Sequence, residues 1–273
     1  MTELISTPSE KPIPTYLAKK NPHPRDQFIT FEEVGHKYTV NGETGYTSVT
    51  TWNHHHFDEF DANKIIANIL RGKKWSTDPT YKYYKMTAKE IADSWDANRD
   101  AASGAGTNMH YDIECYYNGL TIVNDSIEYR YFQQFVADFP ELRPYRTEWT
   151  VYYEELRISG SIDMLFENAA GDLLIYDWKR CKEIAYDSPF GKTAKTACIG
   201  HLPDTNYWHY ALQLNMYKTI LEHKYEKKIV GLYLICLHPD NPSQNYERIE
   251  VPVLEREMAD LMEFRKAELQ KGL

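Results

Sequence analysis

The 273-residue chain has no apolar run near the ~18 residues that a membrane-spanning helix requires, and its first residues contain no signal-peptide apolar segment. A soluble, intracellular protein with no membrane partner is expected. Cysteine is scarce: Cys115, Cys181, Cys198 and Cys236 are widely spaced with no C-x-x-C pair, which argues against both a zinc knot and a disulfide framework. Four idle or buried thiols are the plainer expectation. Excess positive charge is also missing. A net charge of −9 excludes a protein that coats nucleic acid by bulk electrostatics, but it leaves room for a local basic tract. There is no Walker A motif or helicase-like sequence, so any helicase acting with this protein would be a separate chain.

Aromatic residues are plentiful, at 14% with 22 Tyr, as suits either aromatic cores or stacking on bases. Five of the 13 prolines fall within residues 1–27 (Pro8, Pro12, Pro14, Pro22 and Pro24), which predicts an extended arm, mobile or draped on the surface. Residues 28–100 form a second region. Asn41-Gly42, flanked by β-type residues, predicts a hairpin, and Ser48 and Thr50 are positioned to cap a following helix. His54, His55 and His56 cannot all face one point on a helix, so they read as solvated or helix-start residues rather than as a metal site. Between Lys64 and Lys89 seven cations stand against the single acid Asp78, interleaved with Trp75, Tyr81, Tyr83 and Tyr84. Lys73, Lys74 and Trp75 are the candidate contacts for a nucleic-acid strand, the alternative being a solvated helical face.

Residues 101–273 carry the chemistry. Ala88 to Tyr117 reads as helical, with a break near Ser103 to Gly106. His110 and Glu114 stand four apart, one turn above each other on one helical face. Asp125 to Asp138 is amphipathic, with Ile127, Tyr131, Phe132 and Phe135 facing a core, and Pro140 ends it. Arg143 to Tyr153 alternates like a strand; Glu148 lies on it and reads as an edge or surface carboxylate. Ile158 to Phe166 and Leu173 to Trp178 are two apolar runs around the turn residues Asn168 to Asp172, hence a hairpin. Strand alternation projects Asp177 and Lys179 to one side and Trp178 to the other, with Asp163 near the level of Asp177. Two carboxylates and a lysine on a rigid sheet suit a divalent cation with an amine poised beside water.

After the hairpin, Lys182 to Tyr207 is polar and loop-rich, includes Pro189, and offers Lys192 and Lys195 as phosphate contacts or solvated surface. Tyr207 to Glu222 reads as a helix with Gln213 and Tyr217 four apart on one face. Ile229 to Leu237 suggests a strand covered on both faces and Ile249 to Val253 another. Leu254 to Leu269 is amphipathic, with Met258, Leu261, Met262 and Leu269 inward and a charged outer face.

Gly160-x-x-Asp163 followed by Asp177-Trp178-Lys179 resembles the RecB-like branch of the PD-(D/E)XK nucleases. The likeness extends to Gly106-Thr107-x-x-His110-x-x-x-Glu114 upstream and Gln213-x-x-x-Tyr217 downstream, in the family's order; a hairpin ending in Ser-Val-Thr is reminiscent of phage and viral members. The resemblance implies an α/β (α+β) fold, a restriction-endonuclease-like core with a central mixed sheet flanked by helices. It implies a Mg²⁺- or Mn²⁺-dependent nuclease, an exonuclease acting on single-stranded DNA or free duplex ends in replication, repair or recombination, with a separate helicase or recombination protein as a partner. The alternatives are an endonuclease on DNA or RNA and a catalytically silent nucleic-acid-binding protein. It further implies metal ligation by His110, Asp163, Asp177 and the Trp178 carbonyl, with Lys179 acting on water. Glu114 would bind a second ion or orient the ligands, and Gln213, Tyr217 and Thr107 would bind substrate. The clustered cysteines of iron-sulfur members are lacking after Cys236, so no such cluster is expected.

Overall fold

The computed structural model describes residues 12–188 and 191–272, so Pro8 and Pro189 lie outside the described residues. A mixed β-sheet is flanked by helices on both faces. The chain enters through a short helix, α1 (Tyr16–Lys20), and a 3₁₀ turn at Pro24–Phe28. A two-stranded ladder of β1 (Ile29–Glu32) and β2 (Lys37–Val40) follows. The main sheet contains β3 (Thr47–Ser48), β4 (Arg143–Tyr153), β5 (Ile158–Glu167), β6 (Leu173–Lys179), β7 (Ile229–Cys236) and β8 (Glu247–Glu250), with β5 and β6 antiparallel and β6 and β7 parallel. The helices are α2 (Val49–His54), α3 (Ala62–Arg71), α4 (Lys73–Thr77), α5 (Ala88–Tyr117), α6 (Ile127–Asp138), α7 (Asn206–Lys224) and α8 (Glu255–Gln270).

Alternation along β6 divides two cores. Leu173 and Ile175 face one built with α2, α7 and α8, including Trp52, Leu212, Ile220 and Leu261. Tyr176 and Trp178 face the other, built with α5 and α6 through Met109, Ile113, Phe132 and Phe135. β7 is covered on both sides in the same way, by Leu232 and Leu234 toward the first core and Ile235 toward the second, as its continuous apolar run predicts.

Several expectations are corrected. The arm is anchored from α1 onward. Leu17 is buried, Asp26 accepts from Arg146 Nη1 and Trp149 Nε1 at 2.8 Å each, and the Arg25 guanidinium lies 4.0 Å from the Tyr152 ring centroid while pairing with Glu154. Arg146 is itself buried, so Asp26 supplies a charge partner that the sheet would otherwise lack. Asn41-Gly42 does form a tight turn, with both residues at positive φ and Val40 and Glu43 exchanging backbone hydrogen bonds. The β1–β2 hairpin, however, turns earlier, at 33–36, because Ile29 pairs with Val40. Ser48 caps α2, accepting from Thr51 N–H. His56 is buried rather than solvated, bonded through Nδ1 to Thr196 Oγ1 at 2.9 Å.

α5 runs unbroken for 30 residues through Ser103 to Gly106, started by a reciprocal Thr87/Glu90 cap. A domain boundary at 100/101 therefore falls inside a helix, and β3 from the preceding region pairs directly with β5. In α6 the buried positions are Tyr129, Phe132 and Phe135, and Ile127 is exposed. β8 ends at Glu250, before the expected Val253. The charged side of α8 is not all surface: Arg265 is buried and donates to Leu156 O and Thr47 Oγ1.

Candidate metal centre

The long edge of β5 opposite β4 is shared by two strands. β3 pairs in parallel with Ile158 and Ser159, and β6 takes over antiparallel from Met164 to Glu167. Gly160 to Asp163 occupies the fork between them. There the backbone ladder gives way to side chains: Trp178 N–H donates to Asp163 Oδ2 at 2.9 Å. On the other edge of β5, Thr147 pairs with Met164 and Trp149 with Ile162, which sets Glu148 opposite Asp163. Glu148 adopts φ +42°, a left-handed conformation that a non-glycine residue adopts only under constraint. Its Oε2 accepts from Ser161 Oγ at 2.9 Å.

α5 brings His110 over this fork. Its Nδ1 lies 3.5 Å from Asp163 Oδ2 and 3.6 Å from Glu148 Oε1, and its Nε2 is 2.9 Å from the Trp178 carbonyl. One ligand atom from each of His110, Glu148 and Asp163 falls within a 4.8 Å span, an arrangement that could hold a metal ion. Burial works against a charged imidazole, but Asp163 and Glu148 outweigh it and raise the His110 pKa to about 9. Burial likewise raises Asp163, with Glu148 adding to the rise and His110 opposing it. One nitrogen and two carboxylates compete here for one positive charge, the kind of donor set that could hold a metal ion.

The second half of the site lies on the α7 side. Asp177 is buried, and Lys179 Nζ sits 2.6 Å from its Oδ2 as a close ion pair. Burial raises Asp177 to about 6 against the pull of Lys179. Burial alone would lower the Lys179 pKa, yet Asp177 and Asp163 reverse the effect and hold the ammonium charged. Lys179 Nζ also donates to Gln213 Oε1 at 3.4 Å and lies 4.4 Å from the centroid of the Tyr210 ring. Tyr217, one turn beyond Gln213, is buried against Gly160.

The sequence candidates thus divide. His110, Asp163, Asp177, Trp178, Lys179, Gln213 and Tyr217 converge on the fork. Glu114, one turn from His110, is half-buried beside them; burial and repulsion by Glu148 raise it to about 7. Thr107 is exposed on α5, three residues before His110. The compact donor triad contains Glu148, read from the sequence as an edge carboxylate, while Asp177 is engaged with Lys179. The available signal for Glu148 was that it is the one acid on β4, a strand adjacent to the Asp163 strand.

Lys73, Lys74 and Trp75 line a groove of about 1080 Å³ together with Phe60, Lys64 and Tyr81. Its charge is mixed rather than purely basic, since Asp58, Glu59, Asp61 and Asp204 share the wall. The Trp75 indole is pinned by a 2.8 Å bond to Met86 O. Lys192, from the polar loop after β6, also lines the groove, whereas Lys195 is exposed and its backbone N–H bonds to His56 O. His209 lies on the groove wall and also on a 120 Å³ cavity lined by His54, Tyr210 and Gln213, so the groove adjoins the residues that contact Lys179. No helix among the described residues is long and apolar enough to cross a membrane. No protein-family model matches the chain, and no curated protein is significantly similar to it.

Proposed function

We propose that this protein is a divalent-metal-dependent nuclease that hydrolyses phosphodiester bonds of DNA, acting as an exonuclease on single-stranded or free ends. The observation that carries the reading is the meeting, in one fork of the sheet, of the His110/Glu148/Asp163 donor triad with the buried Asp177–Lys179 pair. Glu148 holds a left-handed conformation there, a constraint of the kind that clusters at functional sites. Glu148, Asp163 and His110 would hold the ion, with Asp177 and the Trp178 carbonyl at its margin. Mg²⁺ or Mn²⁺ there supplies Lewis acidity toward a phosphoryl oxygen and activates water at neutral pH.

The chain's own groups then have distinct tasks. Asp177 and Asp163 favour the charged form of Lys179, so its Nζ is placed to orient water and offset charge building on the phosphate. Gln213 fixes the direction of that ammonium through Oε1, and Tyr210 covers it from solvent. Lys64, Lys73 and Lys74 offer phosphate contacts, and Phe60 and Tyr81 offer rings, along the groove that adjoins the site.

The deciding measurement uses purified protein with Mn²⁺ or Mg²⁺ on labelled linear and circular single strands and on duplexes. Cleavage of linear strands alone, lost in Lys179→Ala, is expected. Equal cleavage of circles would make it an endonuclease, and no cleavage of any DNA or RNA would overturn the reading.

A further inference from the structure

Two thiols lie together just beyond Lys179. Cys236 is the last residue of β7, buried, and in register with Lys179 on β6. Cys181 lies two residues past the end of β6 and is half-buried. Their Sγ atoms are 3.8 Å apart. The backbones beneath them are tied: Leu237 N–H donates to Lys179 O at 2.8 Å, and Asn241 Nδ2 donates to Cys236 O at 3.2 Å. Among the described residues no third His, Cys, Asp or Glu joins the two as a metal-ligand group. A soft-metal site is therefore not indicated, and the pair is left with the chemistry of a dithiol.

We propose that Cys181 and Cys236 are a redox-active dithiol, which a small-molecule disulfide of the glutathione type converts to an intramolecular disulfide bridging the end of β6 to β7. Cys181, the more accessible partner, loses its proton and attacks one sulfur of the reagent. The reagent S–S bond breaks, and one thiol leaves with a proton. Cys236 then gives up its proton and attacks Cys181 Sγ in the mixed disulfide, expelling the second thiol. Two protein thiols are oxidised and one reagent disulfide is reduced to two thiols. A disulfide needs sulfurs about 2.05 Å apart, so one must move. Cys236 is held in the sheet, and the movement falls to Cys181 on its irregular segment. That draws the backbone following Lys179 toward β7 and shifts the ammonium relative to Asp177 and Gln213.

The test is to incubate the full chain, natively folded, with oxidised glutathione and to map peptides without reduction. A mass loss of about 2 Da, disappearance of two of the four thiols, and a linked Cys181–Cys236 peptide are expected. Cys115→Ser and Cys198→Ser variants should still form the link, and Cys181→Ser and Cys236→Ser should not. Retention of all four thiols, a persistent glutathione adduct on Cys181, or an equal mass loss in Cys181→Ser would each overturn the proposal. Slower DNA cleavage by the oxidised form, restored by dithiothreitol, is also expected. That part alone rests on the nuclease reading: if neither form cleaves DNA, that reading fails while the mapped bond stands.

Discussion

A side chain on residue 160 would collide with Tyr217: a Cβ built on Gly160 would lie 2.8 Å from both the hydroxyl oxygen and Cε1 of the tyrosine. The glycine of Gly160-x-x-Asp163 and the tyrosine of Gln213-x-x-x-Tyr217 are thus two halves of one contact, which seats α7 on β5 beside Asp163 and sets Gln213 against Lys179. Both partners are buried, and Gly160 lies in a strand, so neither can yield freely. Gly160→Ala is expected to cost about 1–3 kcal/mol by overpacking and to reduce cleavage more than it weakens metal binding. Chemical denaturation of Gly160→Ala, Tyr217→Ala and the double variant checks it. If the two costs simply add, the contact is not coupled.

The division of the site into a donor triad and an ammonium pair predicts separable losses. Asp163→Asn and Glu148→Gln should weaken Mn²⁺ binding, followed by calorimetry, about tenfold or more. Lys179→Met should leave Mn²⁺ affinity within a few-fold while lowering the cleavage rate about 10²–10⁴-fold. It should also lower stability, since Asp177 is left buried without its charge partner. Loss of Mn²⁺ binding in Lys179→Met with none in Glu148→Gln would place the ion on the Asp177 side instead.

The groove predicts a salt effect. Lys73 and Lys74 are exposed on the groove wall, so Lys73→Ala and Lys74→Ala should fold normally. Each should reduce the slope of log affinity against log salt for a single strand by about 1 if it meets one phosphate. Filter binding with catalytically silenced Asp163→Asn protein over a range of salt measures this. Unchanged slopes would return these lysines to the status of a solvated helical face.

Much of this arrangement was legible because it depends on short-range periodicity. Strand alternation put Asp177 and Lys179 on one side of β6 and Trp178 on the other, helix spacing put Gln213 and Tyr217 on one face, and turn composition located the β5–β6 hairpin. What escaped were contacts between segments far apart in sequence. Glu148 enters the site through its register against β5 and a local left-handed twist, which an isolated strand pattern does not encode. The arm is held by Arg25 and Asp26, whose partners Tyr152, Glu154, Arg146 and Trp149 lie 120 or more residues away. The helix through Ser103 to Gly106 persists despite two glycines, whose local propensities point to a break.

Those glycines permit a test of their own. Gly104 is helical, and a Cβ there would meet nothing within 4 Å. Gly104→Ala should therefore stabilise the protein by about 0.5–1 kcal/mol through helix propensity alone, seen as a higher midpoint in denaturant with an unchanged slope. A loss of stability would mean that α5 bends at this point in solution.

His56 predicts a pH-dependent stability distinct from the metal centre. It is buried between Trp52 and Phe264, bonded to Thr196, and faced by His55, Lys195 and Arg265, all cationic or able to become so. Burial first, and those charges second, lower its pKa from 6.5 to about 4. The unfolded chain therefore takes up a proton near pH 6.5 that the native protein refuses until about pH 4. Between those values the unfolded state binds more protons, so stability rises with pH across the window and is lost as pH falls through it, by up to about 3 kcal/mol. Above pH 6.5 both states hold a neutral ring and the effect vanishes. Denaturant titrations of the wild type and His56→Gln between pH 4 and 8 isolate the contribution. The wild type should lose stability faster than the variant on acidification, and parallel curves would show that His56 is free to charge in the folded protein.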